Sequence, residues 1–234
     1  MQTLYLLDIA MNTAGLKQFS DIQHILYINL HSRTDRDIHV QSELKKLGLI
    51  GQRFNAIKLS NSTSGAIGCS MSHLRCLEMA KREKWSHVFI CEDDIVFLDP
   101  ELITSKIDLF LKSSVRRDEW DVLILGGNNM LPYKPVDDTC IQVMHCLTTT
   151  GYIVRSHYYD TLIANVKEGI QKLLKYPLDK KLYAIDKYWL HLQMQDKWFL
   201  IIPPSVVQRE DYSDIENKQT NFQKYMLDYN KCYR

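Results

Sequence analysis

Three carboxylates stand in a row at Glu92, Asp93 and Asp94, between an apolar run at 88–91 and another at 95–97. Adjacent negative charges repel one another, and at the end of a buried strand they call for a positive partner. A hard cation with oxygen ligands, Mn2+ or Mg2+, meets that need. In extended chain, residues i and i+2 point the same way, so Glu92 and Asp94 are expected to face one ion and Asp93 to face elsewhere. A solvated acidic turn is the competing reading, which the apolar flanks disfavour. A second constellation runs from Gly65 to His73, a glycine-containing turn that opens a helix. Ser70 and His73 share a face near its start, where free N–H groups and the helix dipole favour an anion such as a diphosphate. The alternative there is a cap by Ser64 with His73 packed as a polar core residue. A Cys69/His73 nucleophile pair lacks a third group to orient it. The third constellation is Asn29 and Leu30 with Arg33 and Arg36 beyond them. Two guanidinium groups at a helix start suit phosphate or base edges, or else pair with Asp35 and Asp37 on an outer face.

The elements that must position these groups follow from periodicity. Residues 25–30 form a short apolar strand, and 33–47 a charged helix stopped at Gly48. Strands are expected at 53–57, 87–91, 121–125, 150–154 and 199–202. Helices are expected at 67–84, 101–111, 157–174 and 181–193. Strands alternating with helices imply an α/β fold with a mainly parallel, Rossmann-like sheet covered by helices on both faces. Ligands in such sheets bind outside the carboxyl ends of the strands. Asn29 ends the first strand, the three carboxylates the third, and the run Gly126 to Asn129 the fourth.

The 234 residues carry 29 Lys+Arg against 28 Asp+Glu, a net charge of +1, which argues against a protein that coats nucleic acid. No apolar run approaches the ~20 residues of a membrane span. No basic leader precedes residues 1–14, so a cytoplasmic location is expected. The six cysteines show no CxxC and no finger-like spacing and are read as reduced thiols.

Further along, Asp121 to Gly126, Thr149 to Val154, Ala184 to Trp189, Pro204 to Gln208 and Ser213 to Ile215 follow the earlier blocks in order. Together with Tyr27 to Leu30, Arg33 and Arg36, Gly68-Cys69, Ser72-His73 and Cys91 to Ile95, they resemble glycosyltransferase family 25 over residues 25–215. That family contains lipooligosaccharide and collagen hydroxylysine galactosyltransferases. One departure is Gly151, where such proteins commonly carry alanine.

The resemblance implies a GT-A type fold, a metal-dependent nucleotide-sugar site and transfer with inversion. Residues 1–24 would be an N-terminal extension, 25–215 the glycosyltransferase domain and 216–234 a helical C-terminal segment. Glu92 and Asp94 would hold the metal; Asn29, Leu30, Arg33 and Arg36 the nucleotide; Ser70, His73 and Asp93 the diphosphate and sugar. Asn128, Gln208 and Asp214 would face the acceptor. An inverting displacement needs a base for the acceptor hydroxyl. Asp186 is the candidate, with Asp214 or Asp211 as substitutes; a helix-start carboxylate serving backbone N–H groups is the other reading of Asp186. The donor expected is a UDP-hexose, foremost UDP-galactose, and the acceptor a glycan or a hydroxylysine of a collagen-like protein. Two rival readings are a catalytically inactive nucleotide-sugar-binding protein and a metal-dependent nucleotidyl- or phosphotransferase. The second lacks a P-loop and a kinase-like lysine strand.

Overall fold

The computed structural model describes residues 16–59, 65–113, 119–213 and 218–232. Strand β1 (Ile25–Asn29) is buried along its whole length and leads into helix α1 (Thr34–Lys46). The helix ends before Gly48, whose φ of +69° is the left-handed conformation expected past a helix end. Strand β2 (Gln52–Asn55), helix α2 (Gly65–Arg82) and strand β3 (His87–Glu92) follow. After β4 (Ile95–Phe97), helix α3 (Pro100–Lys112) starts on the Asp99 cap, whose carboxylate accepts from Leu102 N at 2.9 Å, with Pro100 at its first position. The later strands are β5 (Val122–Asn129), β6 (Tyr133–Pro135), β7 (Cys140–Val143) and β8 (Cys146–Arg155). Helix α4 (Tyr159–Lys175) is followed by three short helices, α5 (Lys180–Tyr183), α6 (Ile185–Tyr188) and α7 (Leu190–Gln195). Strands β9 (Trp198–Ile201), β10 (Val206–Gln208), β11 (Asp211–Ser213) and β12 (Lys218–Thr220) precede helix α8 (Gln223–Leu227).

Eight strands make one sheet in the order β2-β1-β3-β8-β5-β9-β7-β6. Strands β1, β2, β3, β5, β6 and β9 run one way and β7 and β8 oppose them, so the sheet is mainly parallel. Alternate residues feed two cores. Leu26, Ile28, Val88, Ile90, Val122 and Ile124 pack under α2 and α4, while Ile25, Tyr27, Phe89, Cys91, Leu123 and Leu125 pack under α1 and α3. Leu16, Phe19 and Ile22 are buried in the second core. The chain moves from β1 outward to β2 over one face and back to β3 over the other. The strand order therefore reverses at β1, and in such sheets the binding crevice lies at that reversal, here the carboxyl ends of β1 and β3.

Three expectations need correction. The helix expected at 181–193 is broken, because Ala184 takes an extended conformation (φ −58°, ψ 149°) between α5 and α6. The strand expected to end at 125 runs on through Gly126 to Asn129 as part of β5. A Cβ on Gly126 would meet Val206 Cγ1 at 2.8 Å, and one on Gly127 would strike the Cys146 thiol, so these glycines admit neighbours rather than end the strand. Strand β8 also begins at Cys146, four residues before the expected start, pairing with the extended part of β5.

Candidate active site

Strand register brings the acidic run to the crevice. In β1, Ile28 pairs with Glu92 at the end of β3, so Asn29 lies beside Asp93 and donates from Nδ2 to its Oδ2 at 2.7 Å. From α1, Arg36 Nη1 lies 3.0 Å from Asp93 Oδ1 and 3.5 Å from Asp94 Oδ2. Its Nε donates to Asp211 Oδ2 at 3.2 Å and its Nη2 to the Tyr212 carbonyl at 3.0 Å. Arg33 binds Asp35 and shares Asp211 with Arg36. Both guanidinium groups thus sit in one network with the acidic run and β11. The carbonyl of Leu30 accepts from Arg53 Nη2 at 3.4 Å.

Glu92 joins a second group of side chains. Its Oε1 accepts from Thr149 Oγ1 at 2.6 Å and lies 3.4 Å from His73 Nε2 and 3.8 Å from Cys69 Sγ; its Oε2 accepts from Gln208 Nε2 at 3.2 Å. His73 is fully buried, and its Nδ1 lies 2.9 Å from the Tyr152 hydroxyl. Ser70 is also buried, but its hydroxyl turns back to the Ala66 carbonyl at 2.8 Å inside α2. The structure therefore brings His73 to the acidic run and leaves the Ser70 hydroxyl with its own helix. Ser72, adjacent to His73, ties α2 to the backbone N of Ile57 at 2.9 Å.

The break at Ala184 lets Asp186 start α6 beside β8, where its Oδ2 accepts from Thr148 N at 3.2 Å. Thr148 holds a left-handed φ of +71°. Gln208 stands next to Glu92. Asn128 lies toward the end of β5, opposite Leu147, with its Oδ1 buried and unpartnered. Asp214 lies outside the described residues.

Electrostatics separate the carboxylates. Burial pushes Asp94 well above its ordinary range, and the neighbouring Glu92 charge adds to the rise against the pull of Arg36. Burial also raises Asp93, despite Arg36 and the Asn29 hydrogen bond. Glu92 feels the same burial, but hydrogen bonds from His73 and Thr149 outweigh it and hold the carboxyl low. Burial raises Asp186, with the Glu92 charge adding to it. The arrangement can hold a cation against one set of carboxylates and accept a proton at another. Thr149, Tyr152 and Asp211 are the positions sequence reasoning left without these contacts. The first two lie inside a quoted block, but a hydroxyl in a strand does not announce its partner.

Comparisons with known proteins place the chain in a family. A curated glycosyltransferase 25 family member from Anopheles gambiae is 27% identical over 192 residues, 71% of this chain. The chain spans about a third (31%) of that relative's length. A glycosyltransferase involved in the glycosylation of the major capsid of PBCV-1 superposes over 83% of this chain and 95% of its own, at 9% identity and a TM-score of 0.47. A Drosophila beta-1,4-galactosyltransferase 7 in complex with manganese, UDP-Gal and xylobiose covers 91% of this chain and 77% of its own, at 10% identity and a TM-score of 0.37. The family model described as glycosyltransferase family 25 (LPS biosynthesis protein) matches residues 22–189, and the chain belongs to that family.

Proposed function

We propose that this chain transfers a hexose, galactose foremost, from a UDP-sugar to a hydroxyl with inversion, using a divalent cation. The reading rests on family membership and, within the molecule, on one observation. Asp94 Oδ1 is buried with no hydrogen-bond partner, and its other oxygen shares the Arg36 guanidinium with Asp93 and Asp211. Oxygen donors with surplus negative charge in a crevice fit a hard divalent ion. Glu92 and Asp94 would hold Mn2+ or Mg2+, which supplies Lewis-acid stabilisation of the charge that develops on the departing diphosphate.

The remaining work belongs to this chain's own side chains. Asn29, Leu30, Arg33 and Arg36 line the carboxyl end of β1, where the nucleotide would lie. Asp186, raised by burial, takes the proton of the acceptor hydroxyl on its carboxylate; a base with a raised pKa is a stronger proton acceptor than an exposed aspartate. His73 and Gln208 fix the Glu92 carboxylate from both of its oxygens. Residues 25–215 are taken as the catalytic unit, with Asn128, Gln208 and Asp214 toward the acceptor, a glycan or a hydroxylysine of a collagen-like protein. Among the described residues, no helix is long and apolar enough to cross a membrane.

The deciding experiment incubates the chain with Mn2+ and labelled UDP-galactose, with a saccharide acceptor in one tube and a hydroxylysine peptide in another. Labelled acceptor and free UDP, both abolished by a chelator, support the reading. Preference for another UDP-sugar overturns the galactose assignment. Pyrophosphate as product assigns nucleotidyl transfer instead, and donor binding without transfer to either acceptor favours a binding protein.

A further inference from the structure

Cys69, His73 and Glu92 each offer one ligand atom, and the three atoms lie within 4.8 Å of one another. Cys69 and His73 are four residues apart on α2, so one helix face carries both, and Glu92 meets them from the end of β3. His73 Nε2 is 3.4 Å and Cys69 Sγ 3.8 Å from the same oxygen, Glu92 Oε1. In a tetrahedral zinc site, with Zn–S of about 2.3 Å and Zn–N and Zn–O of about 2.0–2.1 Å, neighbouring ligand atoms stand roughly 3.3–3.6 Å apart. Both edges to Glu92 fit that figure to within a few tenths of an ångström.

The surroundings are those of a ligand set held in place. The second ring nitrogen of His73 meets the Tyr152 hydroxyl at 2.9 Å, the kind of partner that orients a metal-binding imidazole. Thr149 and Gln208 brace the Glu92 carboxylate. Glu92 keeps 18% of its side-chain surface exposed and Cys69 is half-buried, which leaves a way in for an ion.

We propose that Cys69, His73 and Glu92 form a binding site for a thiolate-preferring divalent ion, Zn2+ foremost, with a fourth position left to water. Thiolate and imidazole donors select Zn2+ over Mg2+ and Mn2+, so this site differs in chemistry from the carboxylate pair Glu92 and Asp94. On binding, the Cys69 thiol proton passes to solvent, Nε2 carries the metal, and the ring proton sits on Nδ1 facing Tyr152. The two sites share Glu92, so Zn2+ and the hard cation antagonise each other. That consequence rests on the function proposed above; the binding itself does not.

The test titrates Co2+, a spectroscopic stand-in for Zn2+, into the metal-free full chain. A thiolate-to-cobalt charge-transfer band is expected at one ion per chain. It should vanish in Cys69→Ser and persist in Cys232→Ser, whose cysteine is exposed on the surface. Tyr152→Phe should weaken Zn2+ binding by about 10- to 100-fold. No band in the unaltered chain, or a band that survives Cys69→Ser, overturns the proposal. Should Cys69→Ser fail to fold by circular dichroism, X-ray absorption of zinc-loaded Cys232→Ser decides. One sulfur neighbour supports the site, and a shell without sulfur overturns it. In transfer assays supported by Mn2+, Cys69→Ser should tolerate about tenfold more Zn2+ than the unaltered chain. A chain that shows the band but transfers no sugar keeps the metal site and loses the transferase reading.

Discussion

Arg36 and Asp93, 57 residues apart in sequence, meet at 3.0 Å with each side chain only 10% exposed. The same guanidinium reaches Asp94 and Asp211, so one cation serves carboxylates from two distant parts of the chain. Removing it leaves Asp93 and Asp94 buried without the cation they share. Arg36→Ala should therefore cost about 3–5 kcal/mol of stability, read from urea unfolding in the absence of divalent ions. A loss under 1 kcal/mol would show that water already compensates these carboxylates.

Asp94 gives a pH signature with a definite sign. Its folded-state pKa lies well above the ordinary 3.8, so the folded protein binds that proton more tightly than the unfolded chain. The stabilising contribution is complete below 3.8 and is lost as pH rises through the folded value. Rising pH therefore imposes on the metal-free protein the cost of ionising a buried carboxyl, which Asp94→Asn does not carry. The stability of Asp94→Asn relative to the unaltered chain should rise between about pH 4 and neutrality. Mn2+ should then stabilise the unaltered chain and not the variant. A relative stability that is flat or falling with pH contradicts the burial argument.

Asp186→Asn should lower the transfer rate by about two to four orders of magnitude, with donor affinity nearly unchanged. The amide keeps the contact with Thr148 N but cannot take a proton. Since burial raises Asp186, the acid limb of the rate profile should lie above the ordinary carboxylate range and disappear in the variant. A collapse of donor affinity alongside the rate would move Asp186 to the donor or metal side of the site.

Gly68 lies in α2 against the loop after β2, where an added Cβ would strike the Ile57 carbonyl oxygen. Backbone cannot step aside as a side-chain tip can. Gly68→Ala should destabilise the fold by about 1–3 kcal/mol. It should also disturb the neighbouring Cys69 and His73, visible as a weakened cobalt spectrum. Unchanged stability would show that α2 can lift away from the loop.

Much of this was legible in the sequence, and for identifiable reasons. Strands β1 and β3 carry runs of five consecutive buried residues, and α1 to α4 carry helical spacing with clear ends. The outer strands β4, β6, β10, β11 and β12 have three residues each, too few for any period to show. Gly126 and Gly127 looked like the end of a strand because two glycines let neighbours approach a strand closely as readily as they close one. The acidic run was conspicuous because its cost in an apolar context is a matter of residue type alone. The partners of Arg36 were not: local sequence offers Asp35 and Asp37, whereas the fold supplies Asp93, Asp94 and Asp211.

The contact between Arg36 and Asp211 spans 175 residues, and that between Glu92 and Gln208 spans 116. Both close from β10 and β11, beyond the last core helix. On a ribosome, the sheet can collapse while these strands are still unsynthesised, since its central strands precede them. The acidic crevice would then sit half-built, its carboxylates lacking two of their anchors. Assembly of the site is thus a late event in the life of the chain, and a protein cut after residue 189 would keep its acids without Gln208 and Asp211.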